Sequence, residues 1–370
     1  MAMAGRWTLT RYLIEERRRF PQASGDLNAL ILDISLACKA IARIVAQGRL
    51  GDTLRGHEAA PGHGGGGPSG AEPPGAAETP LGTISSDIFI RMNEWSGQLA
   101  GMASEAMARP SQVPQSHARG KYLLMFDPLD GAGNIDVNVS VGSIFSILRA
   151  PQDAIDSGRD VTENDFLQAG AAQVAAGYAL YGPTTMFVLS VGNGVAGFTL
   201  DPTLGEFLLT HPAIQVPAQT REFAIDASNH RFWEPPVKRY VDECLAGRAG
   251  VRGKDFNTRW IASVVAEAHR ILMRGGVCLR PRDTRESELR GRPRLLYEAN
   301  PIGFVMEQAG GRASTGRQPM LGVKPGALHQ RVGLVFGSRE EVELIERYHH
   351  EPLAREVGNP LFAERSLFRD

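Results

Sequence analysis

Asp127-Pro128-Leu129-Asp130-Gly131 follows directly on the apolar run Tyr122-Leu123-Leu124-Met125-Phe126. The run reads as a buried strand that ends at Asp127, so a strand end carries two carboxylates. Pro128 withholds a ladder donor and is expected to stop the strand. Gly131 permits a sharp turn and a close approach of backbone to a ligand. Two hard oxygen donors at this spacing suit one magnesium ion or two neighbouring ones. A pair of such ions clamps both the attacking and the leaving oxygen of a phosphoryl transfer. An isolated Asp-x-x-Asp is more often a turn whose aspartates cap backbone amides. Two further carboxylates tip the balance here. Glu105 ends the short strand Gly101-Met102-Ala103-Ser104, and Glu298 opens a helix before Pro301. Strand-end and helix-start carboxylates converge at one edge of a sheet.

Working outward, Asp26 to Gln47 has the apolar spacing of a helix (Leu30, Ile31, Ile34, Ala37, Ile41, Ile44, Val45), with Asp26 as its cap and Gly48 closing it. Residues 51–80 are rich in glycine and proline and read as a mobile loop. Ser85 or Ser86 is expected to cap the next helix, with Ile88, Met92, Trp95 and Leu99 facing inward. Residues 137–148, 177–181, 184–190 and 195–200 read as strands, with Gly192-Asn193-Gly194 as a hairpin turn. Beyond residue 205, apolar spacing predicts helices around Val237–Leu245, Trp260–Leu272 and Tyr297–Gln308, then a strand at Val332–Phe336. Ser338 and Glu341 form a capping box for the last helix. Strands and helices in both halves suggest an α/β chain of stacked layers. The expected division is residues 8–204, residues 205–350 and a tail at 351–370.

The bulk numbers narrow the function. The 370 residues are 42% hydrophobic and 22% charged, an ordinary globular mixture. A net charge of −1 supplies no basic field for nucleic acid or an anionic membrane. Cys38, Cys244 and Cys278 are too scattered for a disulfide framework or a thiolate zinc site. No signal peptide or bilayer-length apolar run is read, so the expected location is the cytoplasm. Arginine outnumbers lysine by thirty-five to five, so an arginine where a relative has lysine keeps the charge but not the geometry.

The motif Asp127-Pro128-Leu129-Asp130-Gly131 resembles the metal motif of the lithium-sensitive phosphatase superfamily, which includes inositol monophosphatases. Its continuation, Asn134-Ile135-Asp136-Val137-Asn138-Val139-Ser140-Val141-Gly142-Ser143-Ile144-Phe145-Ser146, resembles class 1 fructose-1,6-bisphosphatases more specifically. So do Gln173-Val174-Ala175-Ala176-Gly177-Tyr178, Arg259-Trp260-Ile261-Ala262-Ser263 and Leu295-Leu296-Tyr297-Glu298-Ala299-Asn300-Pro301. The resemblance spans about residues 8–350, with the Gly/Pro loop as its gap. It implies a stacked αβαβα sandwich of the sugar-phosphatase type. It also implies hydrolysis of fructose 1,6-bisphosphate to fructose 6-phosphate and phosphate. Glu105, Asp127, Asp130 and Glu298 become the catalytic carboxylates and, with the Leu129 carbonyl, the ligands of two or more Mg2+ ions per subunit, Mn2+ being a substitute. Asp130, Gly131, Ala132 and Gly133 face the 1-phosphate. Asp226, Arg259, Trp260 and Arg292 fall in the 6-phosphate pocket, Arg259 reaching across a subunit interface. Lys121, Tyr122 and Arg149 match positions that bind the inhibitor adenosine monophosphate. A homotetramer is implied.

Several positions depart from the family pattern. Gly82 stands where an aspartate that helps activate the attacking water is expected, and Ala106 replaces the second of two adjacent glutamates. Ala132-Gly133 replaces Ser-Ser. Asp226 replaces an asparagine and would repel phosphate unless protonated or turned away, and Arg280 replaces a phosphate-binding tyrosine. Three readings follow: an active, slowed sugar bisphosphatase; a catalytically impaired paralogue that binds sugar phosphate or nucleotide or serves as a regulatory subunit; and a phosphatase redirected to another substrate.

Overall fold

The computed structural model describes residues 7–19, 25–48, 80–285 and 291–351. Its helices are α1 (Leu9–Arg19), α2 (Gly25–Gln47), α3 (Pro80–Asn93), the short α4 (Gln152–Ser157) and α5 (Glu163–Phe166), α6 (Pro235–Leu245), α7 (Val264–Arg274), α8 (Asn300–Gln308) and α9 (Arg339–His350). Eight strands form one sheet in the order β2-β1-β3-β4-β5-β6-β7-β8: β1 Leu99–Ser104, β2 Ser111–Gln112, β3 Tyr122–Asp130, β4 Val141–Arg149, β5 Ala175–Tyr181, β6 Thr185–Ser190, β7 Ala196–Asp201 and β8 Glu206–His211. A five-stranded sheet runs β10-β9-β11-β13-β12, with β9 Glu222–Ile225, β10 Asn257–Thr258, β11 Val277–Arg280, β12 Arg312–Ser314 and β13 Leu334–Gly337.

The apolar faces dictate the stacking. Leu30, Ile34, Cys38 and Ile41 of α2 and Phe89 of α3 pack with Leu124, Phe126, Phe145 and Phe187 on one face of the larger sheet. Its other face gives Ile144, Tyr178 and Val188 to a second core. Val265 and Ile271 of α7, Ile302 and Val305 of α8, and Cys278 and Phe336 of the smaller sheet complete that core. The far side of the smaller sheet (Phe223, Leu279, Val335) packs against Val237, Tyr240 and Val241 of α6 and Val342 and Ile345 of α9. The order helix, sheet, helix, sheet, helix is the layered α/β arrangement expected. The three cysteines are free and buried.

The structure corrects several local readings. Pro128 does not end β3: the strand continues to Asp130, and the pairing with β4 shifts register between Asp127 and Asp130. This is a bulge, the usual accommodation of proline in a ladder. β4 starts at Val141 and not Val137, whose side chain is 64% exposed. α3 begins at Pro80, so Ser85 and Ser86 lie buried inside it and cap nothing; Phe89 is its inward aromatic, while Trp95 is exposed and Leu99 belongs to β1. α7 starts at Val264 because Ala262 takes a left-handed conformation (φ 64°) and Ser263 caps the helix. Trp260 and Ile261 are therefore loop residues. No capping box forms on α9: Ser338 Oγ accepts from the Gly276 amide, and Glu341 is drawn to Arg252 and Tyr240. β8, β9, β11 and β12 had no strand reading from sequence. The Gly/Pro segment up to residue 79 and the tail beyond residue 351 lie outside the described residues.

Candidate active site

Glu105 and Asp127 meet because β1 and β3 are parallel neighbours. Ser104 pairs with Phe126, and the Glu105 amide donates to the Phe126 carbonyl at 3.1 Å, so both strands deliver a carboxylate at the same end. The bulge then turns Asp130 into the same space. Glu298 arrives from the opposite side on the wide π-helical turn Leu295–Ala299 that leads into α8. Such turns interrupt helices mostly where function demands it.

Oxygens of Asp127, Asp130 and Glu298 lie within 4.8 Å of one another. Each carboxylate has one oxygen held by a backbone amide. Leu129 donates to Asp127 Oδ1 at 3.0 Å, Val265 to Asp130 Oδ2 at 2.9 Å and Arg294 to Glu298 Oε2 at 2.5 Å. The Ser263 hydroxyl also donates to Asp130 Oδ2, at 2.6 Å. The second oxygen of each has no hydrogen bond among the described residues. Crowding and burial act on all three. Burial lifts Asp127 well above the usual carboxyl range, and Glu105, Asp130 and Glu298 push it further. Glu298 is pushed up to about 8 by burial, then by Glu105 and Asp130. Asp130 is raised by burial and partly held down by Ser263 and the charge of Arg280. Mutually repelling buried carboxylates, each with one lone-pair-rich oxygen uncommitted, fit a hard divalent cation.

Glu105 stands slightly apart from this triplet. Its Oε1 accepts from Arg294 Nε at 2.8 Å. The same guanidinium meets His329 Nδ1 at 3.0 Å, and His329 Nε2 lies 2.9 Å from the Met107 carbonyl. A carbonyl only accepts, so the imidazole carries its proton on Nε2 and takes the arginine proton on Nδ1. Burial and Arg294 lower the His329 pKa, in keeping with a neutral ring.

Gly131 adopts φ 78°, and a Cβ there would sit 2.8 Å from the Ser263 Cβ. Ala132 and Gly133 follow in a single 3-10 turn. Ile261 is pinned from both sides, its carbonyl by Asn134 Nδ2 (3.0 Å) and its amide by the buried Glu267 (2.7 Å). The loop thus places Trp260 in the wall of a cavity of about 50 Å3 that also includes Asp226, Trp233, Arg280, Asp283 and Arg292. Asp226 has both oxygens engaged: Oδ1 accepts from the amide and hydroxyl of Ser228, and Oδ2 from Asn229 Nδ2. Its oxygens cap a helical turn, though its charge remains in the cavity wall. Arg259 is not in that wall. It is 53% exposed and faces Glu222 of its own chain at 3.5 Å.

Of the nucleotide candidates, Lys121 pairs with Asp26 at 2.6 Å, Tyr122 is buried, and both Lys121 and Arg149 lie over the Tyr122 ring. Gly82 is buried in the first turn of α3, and Asp87, the nearest alternative acid on that helix, is exposed. Sequence reasoning missed Ser263, Arg294 and His329. Ser263 carried a signal, a serine before an amphipathic run, that was overridden by the apolar pair Trp260-Ile261. Arg294 and His329 carried none, because their value lies in a contact across 189 and 35 residues of chain.

Carboxylates gathered at the ends of parallel strands, beside a cavity walled by arginines, define a phosphatase-type site of the cation-dependent class. The comparisons agree. Residues 7–212 match the family model "Fructose-1-6-bisphosphatase, N-terminal domain", and residues 216–350 match its C-terminal counterpart. The chain is 62% identical over 370 residues to the class 1 fructose-1,6-bisphosphatase of Hydrogenophilus thermoluteolus, covering all of this chain and 99% of that one. It is 52% identical over 370 residues to the class 1 enzyme of Rhodospirillum rubrum, covering both in full. The crystal structure of Leishmania major fructose-1,6-bisphosphatase in holo form superposes with a TM-score of 0.80 at 34% identity, covering 93% of this chain and 99% of that one. The chain belongs to the class 1 fructose-1,6-bisphosphatase family.

Proposed function

We propose that this protein hydrolyses fructose 1,6-bisphosphate to fructose 6-phosphate and inorganic phosphate, with Mg2+ as the divalent cation and Mn2+ as a substitute. The observation that carries the reading is the triplet Asp127, Asp130 and Glu298, buried, within 4.8 Å, each with one oxygen locked and one uncommitted. Glu105 and the Leu129 carbonyl complete the donor set. A bound cation would supply Lewis acidity toward the phosphoryl oxygens. The chain's own residues do the rest. Ser263 and Val265 fix the orientation of Asp130. The left-handed turn at Gly131 brings backbone toward the scissile phosphate, and Arg292 in the cavity wall answers the other phosphate. With glycine at position 82, no side chain there takes a proton from water, so a slower chemical step is expected than in a relative with an aspartate. Losing a general base typically costs about 10²–10⁴ in rate. The reading as an impaired, purely regulatory paralogue draws no support from these likenesses.

The same reading includes two domains, residues 8–204 and 205–350, and a cytoplasmic homotetramer in which Arg259 serves a neighbour's site. It also places adenosine monophosphate near Lys121, Tyr122 and Arg149. Phosphate release from fructose 1,6-bisphosphate, followed across a magnesium titration with an Asp130→Asn control, tests the activity. Release that survives chelation, or survives the substitution, sinks the proposal.

A further inference from the structure

His329 lies on a segment that delivers no carboxylate, yet that segment is fixed on both sides of it. Leu328 is buried with Leu296 and Tyr297, and its amide donates to Glu163 Oε1 at 3.0 Å. The Gln330 carbonyl accepts from the Leu295 amide at 2.8 Å. The imidazole itself packs on Tyr297, with ring centres 5.4 Å apart. The ring is thus set in place by the fold alone.

From there it reaches both supports of Glu105. Nε2 donates to the Met107 carbonyl at 2.9 Å and holds the turn that follows β1. The Ser104 hydroxyl, accepting from the Ala106 amide at 3.2 Å, closes the same turn from the strand side. Nδ1 accepts from Arg294 Nη1 at 3.0 Å. A guanidinium beside a carboxylate tends to grip both oxygens with its planar fork. With Nη1 drawn to His329, Arg294 meets Glu105 only through Nε, at 2.8 Å from Oε1. Glu105 Oε2 keeps no hydrogen bond among the described residues. The Arg294 amide meanwhile donates to Glu298. Position 294 therefore serves the outlying carboxylate through its side chain and the triplet through its backbone, and only the side chain depends on His329.

Resting on the function proposed above, we propose that His329 is a positioning residue: by holding Arg294 Nη1 it keeps one oxygen of Glu105 open for a cation additional to the one held by Asp127, Asp130 and Glu298. His329 touches neither cation nor substrate. Without it, the fork of Arg294 closes on both oxygens of Glu105. The additional cation is then weakened, while the triplet, whose amide supports do not pass through His329, keeps its own.

The test is a titration of Mn2+ into the full-length protein holding fructose 6-phosphate and inorganic phosphate, with free Mn2+ counted by its electron spin resonance signal. The variants are H329A, H329N and H329Q, and the melting of each is recorded after chelation. An asparagine amide stands where Nδ1 does and accepts from Arg294. A glutamine amide stands where Nε2 does and answers only Met107. The parent is expected to bind at least two cations. In H329A and H329Q one of them is expected to weaken roughly 10- to 100-fold, the usual effect of losing a partner that orients a metal-binding side chain, with the other unchanged. H329N is expected to keep both cations, although it gives up the Met107 bond and melts lower, as H329Q does. That rescue separates positioning from support of the fold, and the H329N and H329Q pair decides the matter even if H329A does not fold. Cation loss in H329N equal to that in H329Q would overturn the proposal. So would both cations weakening together, neither weakening in H329Q, or a parent that binds only one. Should the parent release no phosphate from the bisphosphate yet show this pattern, the hydrolysis reading fails and the His329 proposal stands. Should the parent turn over the bisphosphate with Mg2+ while H329Q keeps both cations, the reverse holds.

Discussion

Glu298 makes the stability of the cation-free protein depend on pH in an unusual direction. Its folded carboxyl is pushed up to about 8, against an ordinary value of 4.5. The folded state therefore holds its proton more tightly than the unfolded chain. Stability contributed by the protonated group is complete at low pH and is lost as pH rises toward 8. Asp127 and Asp130 are raised as well and act in the same sense. The buried histidines work the other way. His269, lowered to about 4, and His329 and His349, lowered from 6.5, must be charged as pH falls, which removes stability below about 6.5. The window that isolates the carboxylates is therefore pH 6.5 to 8. Across it the interacting carboxylates, Glu298 foremost, contribute on the order of 2 kcal/mol, at roughly 1.4 kcal/mol per pH unit for one proton. For a chain of 370 residues, whose unfolding entropy scales with length, this is roughly 2–3 °C in Tm. Calorimetry on chelator-treated protein is expected to show Tm falling by that amount or more from pH 6.5 to 8. The slope should be smaller in Glu298→Gln and absent with excess Mg2+, which replaces the protons. An identical slope in Glu298→Gln would refute the assignment, as would a chelated parent whose Tm does not move.

Three further perturbations probe the supports of the site. Gly131→Ala places a Cβ 2.8 Å from Ser263 Cβ at φ 78°, so a stability loss of about 1–3 kcal/mol and at least a roughly tenfold fall in phosphate release are expected, read by calorimetry and a phosphate assay. Ser263→Ala removes the 2.6 Å bond to Asp130 and the cap of α7; a loss of about 1–2 kcal/mol, with Mg2+ affinity weakened on the order of 10- to 100-fold, is the expected pair of readings. Glu341→Ala is the contrasting case. It strands Arg252, held at 2.6 and 2.7 Å, and frees Tyr240, so Tm should report a loss of about 3–5 kcal/mol while Mg2+ affinity in the folded protein stays as it was.

What could be read from sequence follows from how far each signal reaches along the chain. α2 was legible to within a residue, because a long amphipathic period closed by Gly48 is a local statement, although Asp26 lies inside the first turn and pairs with Lys121 and does not cap the helix. The carboxylates of β1 and β3 were legible because apolar strands end in acids. Strands β8, β9 and β12 were not, since they are short, half-buried or isolated in sequence, and only pairing with distant partners makes them strands. The failed capping box at Ser338 shows the same limit: both side chains have the right spacing, but Gly276 and Arg252, far away in the chain, offer better partners.

The altered pocket positions take on a different meaning once their contacts are known. Read singly, Asp226 is a repulsive charge in a phosphate pocket and Arg280 a bulky replacement. In the fold, the Asp226 carboxylate accepts from the neutral Ser228 and Asn229 and keeps its charge, whereas the Arg280 guanidinium keeps two nitrogens unanswered. The cavity wall thus holds both charges, the Arg280 cation offsetting the Asp226 anion. The lost partners on the carboxylate side, Gly82 and Ala106, have no such offset among the described residues, since Asp87 is exposed and Glu105 is held by Arg294. The two halves of the site thus depart from the family pattern differently: the two replacements in the cavity balance in charge, whereas those on the carboxylate side point to slower activation of water. Such an enzyme should show its defect in kcat and not in KM.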